Sequence, residues 1–395
     1  MQCGYRFRFY PTTEQEEFLI RSLGCARFVF NRALVARQNA WSESKTSLGY
    51  KQTSALLTQW KQDPELSWLN EVSSVPLQQS LRQLDRGFRN FFEGRARYPK
   101  LRSRRGRQSM EFTRSAFKVR DGALYLAKMK QPLDVRWSRE LPSYPTTATI
   151  TFEADGRWYV SLRVEDEREA LDGGATSVGV DLGITDFATL STGEKVRAPK
   201  PLKAALGRLR KVQRRHARSA RGGKNRSKRR LQVARAYSRV RHIRNDWLHK
   251  LSTRLIRENQ VINVETLNVK GMMRNRKLAR AISDLGWSEF VHQLEYKAQW
   301  HGRTLTKCDR WFASTKTCSL CQTKRAKMSL KVRTWTCTAC GAVHDRDTNA
   351  AQNLDAAGQA VRACGGDVRR EGLKASPQPP VKQEALSVMV GIPVL

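Results

Sequence analysis

Val178-Gly179-Val180-Asp181-Leu182-Gly183-Ile184 is a short apolar run with a single acid inside it, and the fold turns on how it is read. The run has the character of a buried β-strand. An ionised carboxylate within such a strand is costly unless a cation compensates it. Gly179 and Gly183, on either side of Asp181, remove side chains that would obstruct close approach by a metal, a water or a phosphate. The plainer alternative is a strand-end acid capping a neighbouring turn. Asp186, at the start of the returning run Asp186-Phe187-Ala188-Thr189-Leu190, reads as a turn residue.

The pattern recurs downstream. Val261-Ile262-Asn263-Val264-Glu265 is again a β run ending in one acid, preceded by a long helix carrying Val240, Ile243, Trp247, Leu251 and Leu255. In His344-Asp345-Arg346-Asp347-Thr348-Asn349-Ala350-Ala351, Asp347 falls at the start of a small-residue helix. There Ala350, Ala351 and Leu354 would pack closely on a sheet. Two strand acids and a helix acid can converge on hard divalent cations. Mg²⁺ takes oxygen ligands, and two such ions about 4 Å apart can activate a water and stabilise the leaving 3′ oxygen of a phosphodiester.

Cys318-x2-Cys321 and Cys337-x2-Cys340 are separated by fifteen residues, the spacing of a tetrahedral zinc ribbon. Four thiolates would fill the coordination sphere, so this Zn²⁺ is structural; Lys324, Arg325 and Lys327 project from the loop between the pairs. Cys3, Cys25, Cys308 and Cys364 lack such spacing and read as isolated thiols.

Over 395 residues, 73 Lys and Arg against 36 Asp and Glu give a formal charge of +37. With 39% hydrophobic residues the chain has too much apolar content for a disordered basic tail, and its length allows two to three domains. Such a charge favours a polyanion as partner, nucleic acid before membrane. The N-terminal residues lack a signal-like apolar region, and no run approaches a transmembrane span, which points to the cytosol. The most basic part is 200–250, where Asp246 is the only acid and Arg208, Lys211, Arg215 and Arg218 recur at helical spacing. Broken at Arg221-Gly222-Gly223-Lys224, it reads as a polynucleotide-binding helical pair.

Nearer the N-terminus, Tyr5, Phe7 and Phe9 alternate with Arg6 and Arg8 as a strand that Pro11 ends. Thr13-Glu14-Gln15-Glu16 fits a capping box for a helix reaching 31–38. Leu77, Leu81, Leu84, Phe88 and Phe91 form a second helical stripe, with Arg82, Arg86 and Arg89 on other faces. A basic connector at 94–107 reads as a loop that could order on phosphates. Asp121-Gly122 and Asp155-Gly156, each between alternating runs, predict two-residue hairpin turns. The first strand is expected to complete the sheet at 110–165, with the helices inserted. Beyond 364, the Gly- and Pro-rich end predicts a disordered tail.

Taken together, Tyr5-Arg6-Phe7-Arg8-Phe9-Tyr10-Pro11-Thr12, Gly179-Val180-Asp181-Leu182-Gly183-Ile184, Val264-Glu265-Thr266-Leu267-Asn268-Val269-Lys270-Gly271-Met272, the two Cys-x2-Cys pairs and the His344–Ala351 motif resemble the transposon-encoded TnpB family, compact RNA-guided nucleases related to type V CRISPR effectors. The resemblance covers about 4–356. It implies an α/β multidomain protein: a RuvC-like nuclease of RNase H fold with an inserted zinc ribbon, a β-rich wedge domain and an inserted helical recognition domain. By the same resemblance the wedge takes 1–11 and 96–172, recognition 12–95, the nuclease 173–314 and 342–363, and the ribbon 315–341. The acids carried over as catalytic Mg²⁺ ligands are Asp181, Glu265 and Asp347; Asp345 is passed over, since the family pattern uses the second acid. The implied activity is RNA-guided cleavage of double-stranded target DNA beside a short flanking motif, with a guide RNA from the transposon end. A nuclease-silent guided repressor, a strand-transfer transposase and a non-catalytic zinc-ribbon RNA binder are the rival readings.

Overall fold

The computed structural model describes residues 1–167, 170–171, 176–329 and 331–363. The tail expected from 364 and the domain boundary expected at 172/173 lie outside the described residues. The chain divides into two compact units, the first being Met1–Glu167. Among the described residues, no helix is long and apolar enough to cross a membrane.

In the first unit, β1 (Gln2–Tyr10) leads into helices α1 (Thr13–Ser44), α2 (Tyr50–Gln62) and α3 (Ser74–Phe92). Strands β2 (Gln108–Thr113), β3 (Phe117–Arg120), β4 (Ala123–Leu126), β5 (Asp134–Arg136), β6 (Thr147–Phe152) and β7 (Trp158–Glu165) follow. β1 buries Tyr5, Phe7 and Phe9 while Gln2, Gly4, Arg6 and Tyr10 stay exposed, and it pairs antiparallel with β7 on one side and β5 on the other. The sheet order β2-β6-β7-β1-β5 therefore places the first strand inside a sheet built mostly from residues a hundred positions later. The helices are insertions into that sheet, as expected.

Two local expectations need correction. The capping box of α1 closes one residue early: Gln15 N donates to Thr12 Oγ1 at 3.3 Å and Thr12 N donates to Gln15 Oε1 at 3.1 Å. Thr12, extended after Pro11, is the residue with cap geometry. At Asp121-Gly122 both residues have positive φ (51° and 71°), so β3 and β4 are joined by the two-residue turn predicted. At Asp155-Gly156 only Gly156 does (76°), and Glu153 N donates to Arg157 O at 2.9 Å. Three residues form that loop, with the glycine in the left-handed position that a longer hairpin demands. The 94–107 connector is a loop, as expected, and is pinned to its own unit. Asn31 exchanges two hydrogen bonds with the Arg102 backbone (3.0 and 2.7 Å), and the Arg102 guanidinium lies 3.7 Å from the Phe30 ring centre.

The second unit is built on β8 (Ser177–Leu182), β9 (Ala188–Leu190), β10 (Lys195–Val196), β11 (Val261–Glu265) and β12 (Thr304–Cys308), in the order β10-β9-β8-β11-β12. β9 runs antiparallel to β8, whereas β8, β11 and β12 are mutually parallel. The crossover from β9 and β10 to β11 is the helical hairpin α4 (Pro201–Ala217) and α5 (Lys224–Glu258); that from β11 to β12 holds α6 (Val269–Met272), α7 (Arg276–Leu285) and α8 (Trp287–Trp300). Leu248, Leu251 and Leu255 of α5 join Phe290 and Leu294 of α8 in the core against Val178, Val180 and Val264. Ile243, placed on the predicted apolar stripe, is 41% exposed, and Leu248 takes up the buried face instead. A small hairpin, β13 (Thr334–Thr336) and β14 (Val343–Asp345), then feeds α9 (Arg346–Ala363), which lies across the sheet.

Candidate active site

β8 and β11 are in register from Val261 opposite Ser177 to Val264 opposite Val180. Their next residues, Asp181 and Glu265, therefore stand side by side where both strands end. Leu182 N donates to Glu265 Oε1 at 3.0 Å, tying one carboxylate oxygen to the neighbouring strand.

The third acid arrives from above. A Cβ built on Gly179 would meet the Ala351 carbonyl oxygen at 1.9 Å, and one on Gly358 would meet Asn263 Oδ1 at 1.9 Å. α9 thus rests almost directly on the backbone of β8 and on the Asn263 side chain of β11. Two residues along a strand span about 6.6 Å and four along a helix about 6 Å, so the two elements keep step. Ser177 Oγ donates to Asp355 Oδ1 at 2.5 Å, Gly179 takes Ala351, and one step further Asp181 faces Asp347. The glycine reading is corrected accordingly: Gly179 makes room for a helix, and Gly183, whose Cβ would lie 2.7 Å from Asp186 O, makes room for its own turn.

Asp181 keeps some accessible surface, but its carboxyl is largely enclosed by protein. That burial, followed by the charges of Glu265 and Asp347, pushes its pKa up to about 8, with Arg346 acting in the opposite direction. Burial likewise raises Glu265 to about 7 against the hydrogen bond from Leu182 N. Asp181 and Glu265 are desolvated oxygen donors and Asp181 also feels the charge of Asp347, whose own oxygens pair with arginines; a hard divalent cation held by the three would relieve the burial and the repulsion at Asp181.

Asp345 is occupied elsewhere. Its Oδ1 accepts from Thr348 N (3.0 Å), Thr348 Oγ1 (3.1 Å) and Asp347 N (3.2 Å), the work of a helix cap, and Lys195 Nζ holds Oδ2 at 2.8 Å. Burial opposes its ionisation, yet the Lys195 and Thr348 hydrogen bonds outweigh that and hold its pKa below the ordinary value. Asp186 pairs with Arg197 at 3.4 Å on the turn, as its sequence position suggests.

The four cysteines converge: their Sγ atoms all lie within 4.8 Å of one another. Gln322 and Gly341, each directly after the second cysteine of a pair, adopt positive φ (61° and 72°), and Gln322 N and Gly341 N donate to the carbonyls of Cys318 and Cys337. Each pair is a tight knuckle, and the set is compatible with a structural zinc. Hydrogen bonding with the Thr323 side chain and backbone holds the Cys321 thiol down, to about 6, whereas at Cys340 the bond with the Ala342 backbone is outweighed by those with the other thiols, which push it up to about 12, as expected of thiols sharing protons where a cation would replace them. Cys3, Cys25 and Cys308 are separate buried thiols.

Several contacts at this site are not legible in the sequence, even where the residue falls in the His344–Ala351 motif. His344 Nε2 lies 3.0 Å from Cys318 Sγ, beneath Trp335. Arg333, one basic residue among many in the ribbon loop, reaches Asp347 Oδ2 at 3.2 Å, while Arg346 pairs with Asp347 Oδ1 at 3.3 Å. Asn349 and Asn353, one turn apart on α9, both donate to the carbonyl of Thr317 (2.8 and 2.7 Å) just before the first knuckle. Asn349 falls in the motif quoted for the resemblance, and only the spacing of four points to Asn353.

The 200–250 segment forms the predicted hairpin. Arg226 Nη1 donates to Ser219 O (2.8 Å) and Arg229 Nη1 to Arg215 O (3.0 Å) across the turn, and buried Asp284 accepts from Leu202 N and Lys203 N (2.9 Å each) at the start of α4. Arg210, Lys211, Arg214, Arg215 and Arg218 line one open hollow with Gly207.

Fold and site together define an α/β protein in which the edge of a mixed sheet carries neighbouring acids and a four-cysteine, zinc-compatible element is attached. Comparison with known proteins narrows this. Family models described as "Probable transposase", "Cas12f1-like, TNB domain" and "Helix-turn-helix domain" match residues 159–276, 287–354 and 1–46; in the last region the structure has one strand and one continuous helix. A Streptomyces pristinaespiralis protein named "Putative RNA-guided DNA endonuclease" is 50% identical over 99% of this chain and 98% of its own length. Escherichia coli K12 InsQ, similarly named, is 30% identical over 92% and 94%. The solved fold of Cas12f1 in a complex with sgRNA and target DNA superposes with a TM-score of 0.54 at 14% identity, covering 87% of this chain and 83% of that one. The chain belongs to the TnpB family.

Proposed function

We propose that the protein is an RNA-guided DNA endonuclease of a transposable element, and that its second unit is a RuvC-like nuclease of RNase H fold. The sheet order, with the second strand antiparallel to the first and three parallel strands beyond, supports that fold. The observation that supports the activity is that Asp181, enclosed at the carboxyl end of β8, lies within the charges of both Glu265 and Asp347, in a chain half identical to a protein named for RNA-guided cleavage.

Asp181 and Glu265 supply oxygens from the sheet and Asp347 from the helix. Mg²⁺ bound there would polarise the attacking water and neutralise charge on the leaving 3′ oxygen. Glu265 is oriented through its bond to Leu182 N, and Asp347 through the cap that Asp345 places on α9. Arg333 and Arg346 balance the trio's charge. The cysteine knuckles hold one structural Zn²⁺. The α4–α5 hairpin binds phosphates. β1 and the sheet it joins, within 108–165, are a wedge and 12–95 a recognition domain; they hold a guide RNA transcribed from the transposon end and read a flanking motif in double-stranded DNA, with base pairing reading the target.

The test is cleavage of a guide-matched duplex in Mg²⁺. Asp181→Ala removes a ligand and leaves the basic surfaces, so cleavage falls by several orders of magnitude with binding retained. An Asp181→Ala protein that cuts as well as the parent defeats the assignment. Joined strand-transfer products without RNA would make it a transposase.

A further inference from the structure

β12 pairs with β11 so that Cys308 stands opposite Glu265, and Thr266 N donates to Cys308 O at 3.1 Å. The chain leaving β12 therefore starts beside the acid trio, at the carboxyl edge of the sheet, where ligands of open α/β sheets bind. It forms a turn. Asp309 Oδ1 accepts from Trp311 N at 2.7 Å, and Asp309 O accepts from Phe312 N at 3.0 Å. Beyond the turn, the Ser314 carbonyl is held by Asn353 Nδ2 of α9 at 2.8 Å. The turn is thus fixed to β11 at one end and to the helix that carries Asp347 at the other.

At its tip, Trp311 is 75% exposed, while the Arg310 guanidinium sits 4.5 Å from the indole centre. Folding gains little by leaving a rigid aromatic ring this open. An indole backed by a cation, on the turn that follows the strand residue paired with Glu265, suits the flat face of a nucleobase, which stacks on aromatic rings whatever its identity. Resting on the nuclease reading above, we propose that Trp311 is the stacking platform for one unpaired base of the DNA strand being cut, and so sets which phosphate reaches Asp181, Glu265 and Asp347. Arg310 backs the ring and contributes charge for the adjoining phosphate.

The experiment removes bases singly. Guide-loaded protein is given targets with one abasic site at successive positions near the cut. The parent should lose roughly five- to a hundred-fold in kcat/KM at one position, the worth of a single stack. Trp311→Ala should show that loss on the intact target and no further loss at that position, whereas Trp311→Phe keeps the parent's pattern; unchanged zinc content and melting temperature show that the variants fold. An abasic profile in Trp311→Ala identical to the parent's overturns the proposal. A second reading needs no cleavage: single-stranded DNA carrying 2-aminopurine should be quenched by the full-length chain and by Trp311→Phe, but not by Trp311→Ala. If the parent cuts nothing, the nuclease reading falls while the quench still decides the stack. Self-association abolished by Trp311→Ala, with the quench intact, also overturns it and assigns the ring to a protein contact.

Discussion

The carbonyl oxygen of Ala351 occupies the space a side chain on Gly179 would need, 1.9 Å from where its Cβ would begin. This approach sets the height of α9 above the sheet, and with it the reach of Asp347, one helical turn before Ala351, toward Asp181. Because the obstructing atom is backbone, no rotamer change relieves the clash. Gly179→Ala should therefore cost about 1–3 kcal/mol or more, as overpacking does. The displaced acid should lower cleavage about a hundred-fold, the expected effect of a misplacement near 1 Å. Urea melts and single-turnover cleavage measure the two effects; parental values for both would show that the contact does not position Asp347.

The acid trio also makes a statement about pH. In the folded chain Asp181 holds its proton up to about pH 8, whereas its ordinary value is near 4. A raised folded pKa contributes stability that is present below the unfolded value and is lost as pH rises through the folded one. Without divalent ions, the parent should lose stability between pH 4 and 8. Asp181→Asn should melt higher than the parent at pH 8, and the advantage should vanish toward pH 4. Mg²⁺ at pH 8 should stabilise the parent and not the variant. Melting in Mg²⁺-free buffer, without a chelator that would strip zinc, makes the comparison; a variant less stable than the parent at pH 8 contradicts the burial argument.

What the sequence shows of this site depends on how local each feature is. Asp181 and Glu265 stand out because a lone acid in an apolar β run violates the local pattern, and the knuckles stand out because thiolate spacing is a property of the chain. The use of Gly179 is invisible there, since its partner Ala351 lies 172 positions away and only packing unites them. Arg333 and Lys195 are hidden for the opposite reason: among 73 Lys and Arg, a basic residue that reaches an acid has nothing to mark it. The Asp155-Gly156 turn differs from prediction because the same dipeptide serves two loop lengths, and strand register chooses between them.

Asp345 should matter without ligating anything. Asp345→Ala removes the cap of α9 and the partner of Lys195, and a lost cap costs typically about 1 kcal/mol. Cleavage should fall far less than in Asp347→Ala, with Asp345→Asn, which keeps the cap, closer to the parent. If Asp345→Ala and Asp347→Ala are equally inert while both remain folded, Asp345 belongs to the metal site after all.

The cysteine knuckles are linked to the trio through β13 and β14. Thr334 pairs with Asp345 and Trp335 with His344, and His344 in turn touches Cys318. Cys318→Ser should reduce zinc from about one per chain to none. It should also loosen the hairpin, so that amide exchange speeds up at 343–348, the segment that presents Asp347. Cleavage should then fall even in excess Mg²⁺. Loss of zinc with unchanged exchange and unchanged cleavage would mean that the ribbon is independent of the nuclease site.

The α4 hollow yields a test that does not depend on chemistry at the acids. Arg210, Arg214 and Arg218 repeat every four residues along one face, and all three line the hollow. Each phosphate contact on a duplex contributes about 0.9 to the slope of log affinity against log salt. Replacing all three by Ala in Asp181→Ala protein should therefore flatten that slope by between two and three and weaken binding at low salt for every sequence alike. A weaker affinity with an unchanged slope would place these arginines away from the phosphates, and unchanged affinity would leave the charge of this hairpin without a role in binding.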